Sequence, residues 1–172
     1  MLRKRNLFAP LLASFLFLFA LGSRSAFAVD AKTAATMDEV AANYLNIQEK
    51  LAADTTVGIE AEAVGIVKKL SPLLNQPCTL TSDSCMDLLQ KISTAAEKMK
   101  GNDIKSLRNS FGELSKPMGD YWKKFSPKWN EVYLFQCPMA GDGKGGVWLQ
   151  RGPNLQNPYF GKAMLSCGSA VK

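Results

Sequence analysis

The sequence predicts a mainly α-helical protein, an up-down bundle of four helices with a small irregular C-terminal cap. Apolar residues recur at intervals of three and four in four successive segments, which indicates amphipathic helices. The connections between these segments are short, as expected of antiparallel neighbours. In the cap, over about 132–172, two short apolar runs at 132–135 and 147–150 flank a glycine-rich stretch at 141–146. That pattern is typical of a short β-hairpin.

The first 28 residues have the pattern of a signal peptide. Arg3, Lys4 and Arg5 precede an almost unbroken apolar run over 7–21, and residues 26–28 read Ala-Phe-Ala, a small-x-small cleavage pattern. The run is short for a membrane span, although a retained anchor is the alternative interpretation. We therefore expect a periplasmic or secreted protein that is not an integral membrane protein once the signal is removed.

A mobile lead-in is expected over 29–35, and residues 36–172 are expected to form a single domain. Thr36 and Glu39 form a capping box, in which the hydroxyl and the carboxylate satisfy free amide groups of the first helical turn. The first helix is therefore predicted to begin at Thr36 and to continue to about Ala53.

The remaining helices follow from capping and breaking residues. The second begins after a threonine at 55 or 56, and Pro72 is expected to end or kink it. The third begins at Asp83 or Ser84, and the fourth begins at Asp103. Pro117 should interrupt the fourth helix. A dense aromatic group near its end is interpreted as core packing: Tyr121, Trp122, Phe125 and Trp129.

Charge and composition exclude several function classes. Four of the 21 Lys and Arg residues lie in the predicted leader, and the 17 that remain face 15 Asp and Glu, a net charge of +2. This near balance, without a basic patch, argues against nucleic-acid binding. The chain contains no histidine, which excludes Ser-His-Asp and Cys-His catalysis and any imidazole metal site. No carboxylate pair suits acid–base catalysis, so we do not expect an enzyme.

The four cysteines form two pairs along the chain, and each pair can be interpreted either as a disulfide or as free or metal-binding thiols. Cys78 and Cys85 flank a loop-to-helix transition, where a disulfide is the simplest interpretation in an exported protein, and free or metal-binding thiols are the alternative. Cys137 lies two residues before Met139, and their counterparts near the C-terminus are Met164 and Cys167.

These four sulfur side chains are candidate ligands for a soft metal. Thiolate and thioether groups favour Cu(I) or Ag(I) over hard cations. The alternative is a second disulfide, Cys137–Cys167, with Met139 and Met164 buried as apolar filler. Sequence pattern alone leaves both interpretations open.

The C-terminal quarter also resembles a known family. It reads C-P-M-A at 137–140, N-P-Y-F-G at 157–161 and M-L-S-C-G at 164–168. This combination is similar to a bacterial family of exported domains of unknown function, found alone or fused to adaptor subunits of copper/silver efflux systems. The resemblance implies a periplasmic helical domain with a role in heavy-metal handling. Gln136 differs from the family pattern, which often has histidine at this position.

Two functions are therefore expected as alternatives. The first is binding or delivery of Cu(I) or Ag(I) through the C-terminal sulfur groups, with a metal-efflux adaptor as a candidate partner. The second is a disulfide-stapled, non-catalytic module that docks onto another envelope protein. On that second interpretation the interaction surface is formed by the aromatic residues of the cap, Trp148, Tyr159 and Phe160.

Overall fold

A computed structural model describes residues 29–75, 83–125 and 127–171. Its four helices are α1 (Ala31–Ala52), α2 (Ile59–Leu74), α3 (Asp83–Ala96) and α4 (Ile104–Phe125), followed by strands β1 (Val132–Cys137), β2 (Gly146–Arg151) and β3 (Ser169–Ala170). The predicted mainly α fold with a C-terminal hairpin is confirmed. The predicted signal peptide and Cys78 lie outside the described residues. None of the helices within those residues combines the length and the apolar character needed to span a bilayer.

Helix α1 begins five residues before the predicted start. Asp30 is its N-cap: one carboxylate oxygen accepts a 2.9 Å hydrogen bond from the Thr33 backbone N–H, and the other accepts from the Thr33 hydroxyl. The bond from the Thr33 backbone holds the pKa of Asp30 below its usual value. A cap at Asp30 extends the helix upstream. The predicted mobile lead-in is therefore wrong for residues 31–35, and Thr36 lies inside the helix.

Helix α4 continues through Pro117, so the predicted interruption is wrong. Proline removes one backbone hydrogen bond and usually breaks a helix interior. Here Leu114, Met118 and Tyr121 are all fully buried on one face of α4, on both sides of the proline. Burial of this face outweighs the loss of a single hydrogen bond. Pro72 likewise lies inside α2, which ends two residues later.

The small sheet is part of the main core. Each helix packs against the next in chain order, and β2 lies against both α1 and α4. The Tyr44 hydroxyl of α1 accepts a 3.1 Å hydrogen bond from the Leu149 N–H of β2 and is hydrogen-bonded to Ser115 of α4. Burial raises the pKa of Tyr44. Trp148 and Leu149 are fully buried in the same core as the helices. The C-terminal segment is therefore held rigidly against the bundle.

The sheet has the strand order β2-β1-β3 and is antiparallel throughout. The central strand β1 pairs Cys137 with Gly146 on one side and Gln136 with Ser169 on the other. β3 contains two residues, too few for a sequence pattern to reveal. Its pairing brings the chain just after Cys167 back to the end of β1 that carries Cys137.

Candidate functional site

Three of the four predicted sulfur ligands come together at this end of the sheet. Cys137 Sγ lies 3.1 Å from Cys167 Sγ, and Cys167 Sγ lies 4.0 Å from Met139 Sδ. Both cysteines are free thiols, since their sulfur atoms are farther apart than the roughly 2.05 Å of a disulfide bond. Cys137 is fully buried, Cys167 is half-buried and Met139 is 54% exposed. We call these three residues the sulfur cluster.

The fourth candidate, Met164, is placed differently. It follows the 3-10 turn Gly161–Ala163, and its backbone carbonyl accepts a 3.0 Å hydrogen bond from the Cys167 N–H. The two sulfur contacts described above join Cys137, Cys167 and Met139, and the Met164 sulfur takes part in neither. Met164 therefore shapes the turn that carries Cys167.

Strand β1 and the motif tyrosine fix the position of Cys137. Gly146 lies opposite Cys137, and a Cβ atom at Gly146 would lie 2.7 Å from Tyr159 Cζ and 2.8 Å from the Ala140 Cβ. Only glycine leaves room for the Tyr159 ring. The Tyr159 hydroxyl donates a 2.6 Å hydrogen bond to the Val147 carbonyl, and burial raises its pKa. This packing closes the sheet around Cys137.

Asn157 fixes the position of Cys167. Its side-chain amide donates a 2.7 Å hydrogen bond to the Cys167 carbonyl oxygen, and its side-chain oxygen accepts a 2.8 Å bond from the Tyr159 N–H. Asn157 is fully buried. It was not among the predicted site residues, although the Asn-Pro pair that opens the N-P-Y-F-G motif was a signal of a structured turn.

The same turn is bound to the helices through an ion pair. Arg108 of α4 donates to the Pro158 carbonyl at 2.9 Å and to Asp54 Oδ1 at 2.6 Å. The other Asp54 oxygen accepts a 3.1 Å bond from the Lys162 N–H. The Arg108 guanidinium holds the pKa of Asp54 below its usual value. Gly161 has φ +57°, and a Cβ there would lie 1.9 Å from Asp54 Oδ1. A larger residue at this position would have to displace the ion pair and adopt a backbone conformation that favours glycine.

The structure places the predicted interaction residues largely inside the protein. Trp148 is fully buried, and Tyr159 and Phe160 are half-buried. Gly168, with φ +137°, lets the chain pass directly over the Trp148 ring, since a Cβ there would lie 2.9 Å from Trp148 Cη2. The indole therefore does not form part of a docking surface in this structure.

A cleft of about 1070 Å³ opens beside the sulfur cluster. It lies between α4 and the turn that connects β1 to β2, and Cys137 and Met139 are part of its wall. Lys105, Lys116 and Lys144 also line the cleft. Met139 is thus the exposed member of the sulfur cluster on the wall of the cleft, and Cys137 is its buried member.

Proton chemistry and donor type limit what the sulfur cluster can bind. The hydrogen bond with Cys137 raises the pKa of Cys167, so a bound cation has to displace a thiol proton. In the ranges 29–75, 83–125 and 127–171, no group of three or more His, Cys, Asp and Glu side chains could hold a metal ion. The donors that converge at this site are sulfur atoms.

The structure does not test the predicted Cys78–Cys85 disulfide. Cys85 is fully buried in α3, and Cys78 lies outside the described residues. That pairing stays a prediction.

Comparison with known families identifies the helical part of the chain. A family model described as "Protein of unknown function (DUF3347)" matches residues 40–130, a little more than half of the chain. The matched region runs from α1 to just before β1, so it covers the helices and not the C-terminal motifs on which the sequence resemblance was based. No curated protein and no solved structure matches the chain.

Proposed function

The chain belongs to the family of proteins of unknown function DUF3347, and from its sulfur cluster we propose that it binds or delivers Cu(I) or Ag(I). The observation that carries this proposal is the convergence of two thiols and one thioether within contacts of 3.1 and 4.0 Å. Such soft donors, without imidazole or carboxylate, favour monovalent copper and silver over hard cations.

The spacing of the sulfur atoms supports a three-ligand site. Sulfur ligands lie about 2.3 Å from a bound zinc ion, and three ligands at such a distance in a plane around an ion are about 4 Å apart. Cys167 and Met139 already have this separation, at 4.0 Å. Cys137 and Cys167, at 3.1 Å, have to move apart by about 1 Å when the ion replaces the shared thiol proton.

The exposure gradient across the cluster supports a route for the ion. Met139 is 54% exposed and lines the cleft, whereas Cys137 is fully buried. A flexible, exposed thioether can take up a soft cation and pass it to the two neighbouring thiols. This arrangement suits reversible delivery better than permanent storage.

The glutamine at position 136 is compatible with this proposal. Successive side chains of a strand point to opposite faces, and in β1 Cys137 is buried while Gln136 is exposed. The Gln136 side chain is exposed on the wall of the same cleft and is not one of the three sulfur donors. The proposed ligand set does not depend on a histidine there.

The proposed setting is the periplasm, with a copper/silver efflux adaptor as partner. The signal-peptide pattern of residues 1–28 supports export, and the C-terminal motifs support the link with efflux systems. The location and the partner are proposed separately from the metal chemistry. Evidence against either of them would not refute metal binding by the sulfur cluster.

Competitive titration of the reduced mature protein with Cu(I), against a chromophoric Cu(I) chelator, tests the proposal. We expect one ion per chain for the wild type and no stoichiometric binding for the double variant Cys137→Ser, Cys167→Ser. Met139→Leu should weaken binding by at least about tenfold, or about 1.4 kcal/mol. Met164→Leu is the matched control and should bind as the wild type does. Unchanged affinity in the double variant, with helical circular dichroism retained, would refute the ligand assignment.

A further inference from the structure

We propose that Cys167 and Cys137 also form a thiol–disulfide exchange site, in which Cys167 reacts with a small-molecule disulfide and Cys137 completes an internal disulfide. The two thiols differ in access, since Cys137 is fully buried and Cys167 is half-buried. An external disulfide therefore reaches Cys167 first. Cys137 is in place to act second, because its sulfur lies 3.1 Å from that of Cys167.

The fold holds the two cysteines ready for this reaction. Cys137 ends the central strand, and the chain next to Cys167 is bound to the same strand through the pairing of Gln136 with Ser169. Asn157 anchors the Cys167 carbonyl at 2.7 Å. The sulfur atoms need to approach by about 1 Å to reach the length of a disulfide bond. Two independent anchors, strand pairing and the Asn157 amide, keep the thiols within that range.

The exchange proceeds in two balanced steps. The Cys167 thiolate attacks one sulfur of oxidised glutathione, the disulfide bond of glutathione breaks, and one glutathione leaves as a thiol with the proton that Cys167 lost. The Cys137 thiolate then attacks Cys167 Sγ, the mixed disulfide breaks, and the second glutathione leaves with the proton of Cys137. Two electrons and two protons pass from the protein to glutathione, and the chain loses two hydrogen atoms.

Closure of this disulfide shuts off the sulfur cluster as a metal site. Both thiolates are consumed by the bond, and only the thioether of Met139 remains as a donor. This consequence rests on the proposed function, whereas the exchange chemistry does not. The chain would then release or refuse a soft cation under oxidising conditions and bind it under reducing conditions.

The exchange site is tested without metal by exposing the reduced protein to oxidised glutathione. Peptide mapping should join Cys137 to Cys167, with the loss of two hydrogen atoms between them and no glutathione on either residue. Cys137→Ser should accumulate one glutathione, on Cys167, because the second step is removed. Cys167→Ser should resist modification at Cys137, which is buried. A stable adduct on wild-type Cys167, or equal modification of the two single variants, would overturn the proposal.

A second experiment tests whether the Cys137–Cys167 disulfide controls metal binding. Ag(I) binding is measured on the same preparation before oxidation, after oxidation and after reduction with dithiothreitol. We expect binding to be lost on oxidation and regained on reduction. Ag(I) binding by protein in which the Cys137–Cys167 disulfide has been mapped would overturn the proposal that oxidation prevents metal binding. Absence of binding in the fully reduced protein would refute the proposed function and leave the exchange result standing.

Discussion

The buried Asn157 side chain donates a 2.7 Å hydrogen bond to the backbone carbonyl of Cys167, ten residues further along the chain. The N-P-Y-F-G motif therefore acts as a support for one member of the sulfur cluster. Its tyrosine and its glycine serve the same end, since Tyr159 packs over Gly146 and Gly161 fits beside Asp54. The motif is a positioning device more than an exposed recognition surface.

Asn157→Asp should destabilise the protein and weaken soft-metal binding. The substitution keeps the shape but replaces an N–H donor with an oxygen that faces the Cys167 carbonyl. Loss of a buried hydrogen-bond partner costs about 1–3 kcal/mol, and more when a charge is left unpaired. Urea unfolding measures the change in the free energy of unfolding. Asn102→Asp, at an exposed position, is the control and should change it by less than about 0.5 kcal/mol.

Gly161→Ala should be more destabilising than Gly101→Ala. Both glycines have positive φ, +57° and +82°, so both substitutions introduce backbone strain of about 1–2 kcal/mol. Only at Gly161 does the new Cβ also collide with Asp54 and Arg108, whereas nothing lies within 4 Å at Gly101. The difference in the free energy of unfolding between the two variants isolates the collision. Equal effects would show that the ion pair moves aside freely.

Asp54 should contribute to stability in a pH-dependent manner. Arg108 lowers the pKa of Asp54 in the folded protein, so its contribution is present above the unfolded-state pKa and is lost as pH falls through the folded-state value. Asp54→Asn should therefore lower the free energy of unfolding by only about 1 kcal/mol near neutral pH, because the pair is partly exposed to solvent. In strong acid the variant should cost almost nothing, because Asp54 is then protonated in the wild type as well.

The check on Asp54 is the free energy of unfolding of wild type and variant as a function of pH. Asp87→Asn, which removes an exposed ion pair with Lys91 within α3, serves as the control and should cost only a few tenths of a kcal/mol. A difference between wild type and Asp54→Asn that does not change with pH would contradict the assignment.

Tyr44→Phe should loosen the contact between the sheet and the helices. The variant keeps the ring, which stacks on Phe111 with centroids 5.3 Å apart, but leaves the Leu149 N–H without its acceptor. We expect a loss of about 1–3 kcal/mol in the free energy of unfolding. Amide hydrogen exchange at Leu149 should accelerate. Tyr133→Phe, at a position that is 40% exposed, should leave both quantities nearly unchanged.

Local sequence patterns predicted the elements that local physics determines. The periodic apolar residues gave the four helices, and the glycine-rich turn between two apolar runs gave the hairpin of β1 and β2. A cysteine and a methionine lie close together at each end of the C-terminal stretch, and this pattern predicted four candidate sulfur ligands. Three of these four residues, Cys137, Met139 and Cys167, are brought together by the fold.

The features that the sequence did not predict depend on partners far away in the chain. Pro117 is tolerated because α4 buries one face against the rest of the core, and a local rule cannot register that gain. Arg108 and Asp54 are 54 residues apart, so no spacing signals their ion pair. The predicted start of α1 at Thr36 was wrong because Asp30, six residues upstream, is the residue that caps the helix.

The most direct test of the central claim is X-ray absorption at the copper edge of the reduced protein loaded with one equivalent of Cu(I). The account predicts three sulfur neighbours and no nitrogen or oxygen neighbour, with one sulfur lost in Met139→Leu and none lost in Met164→Leu. A first shell of nitrogen or oxygen, or a spectrum that is unchanged when Cys137 and Cys167 are both replaced by serine, would contradict it.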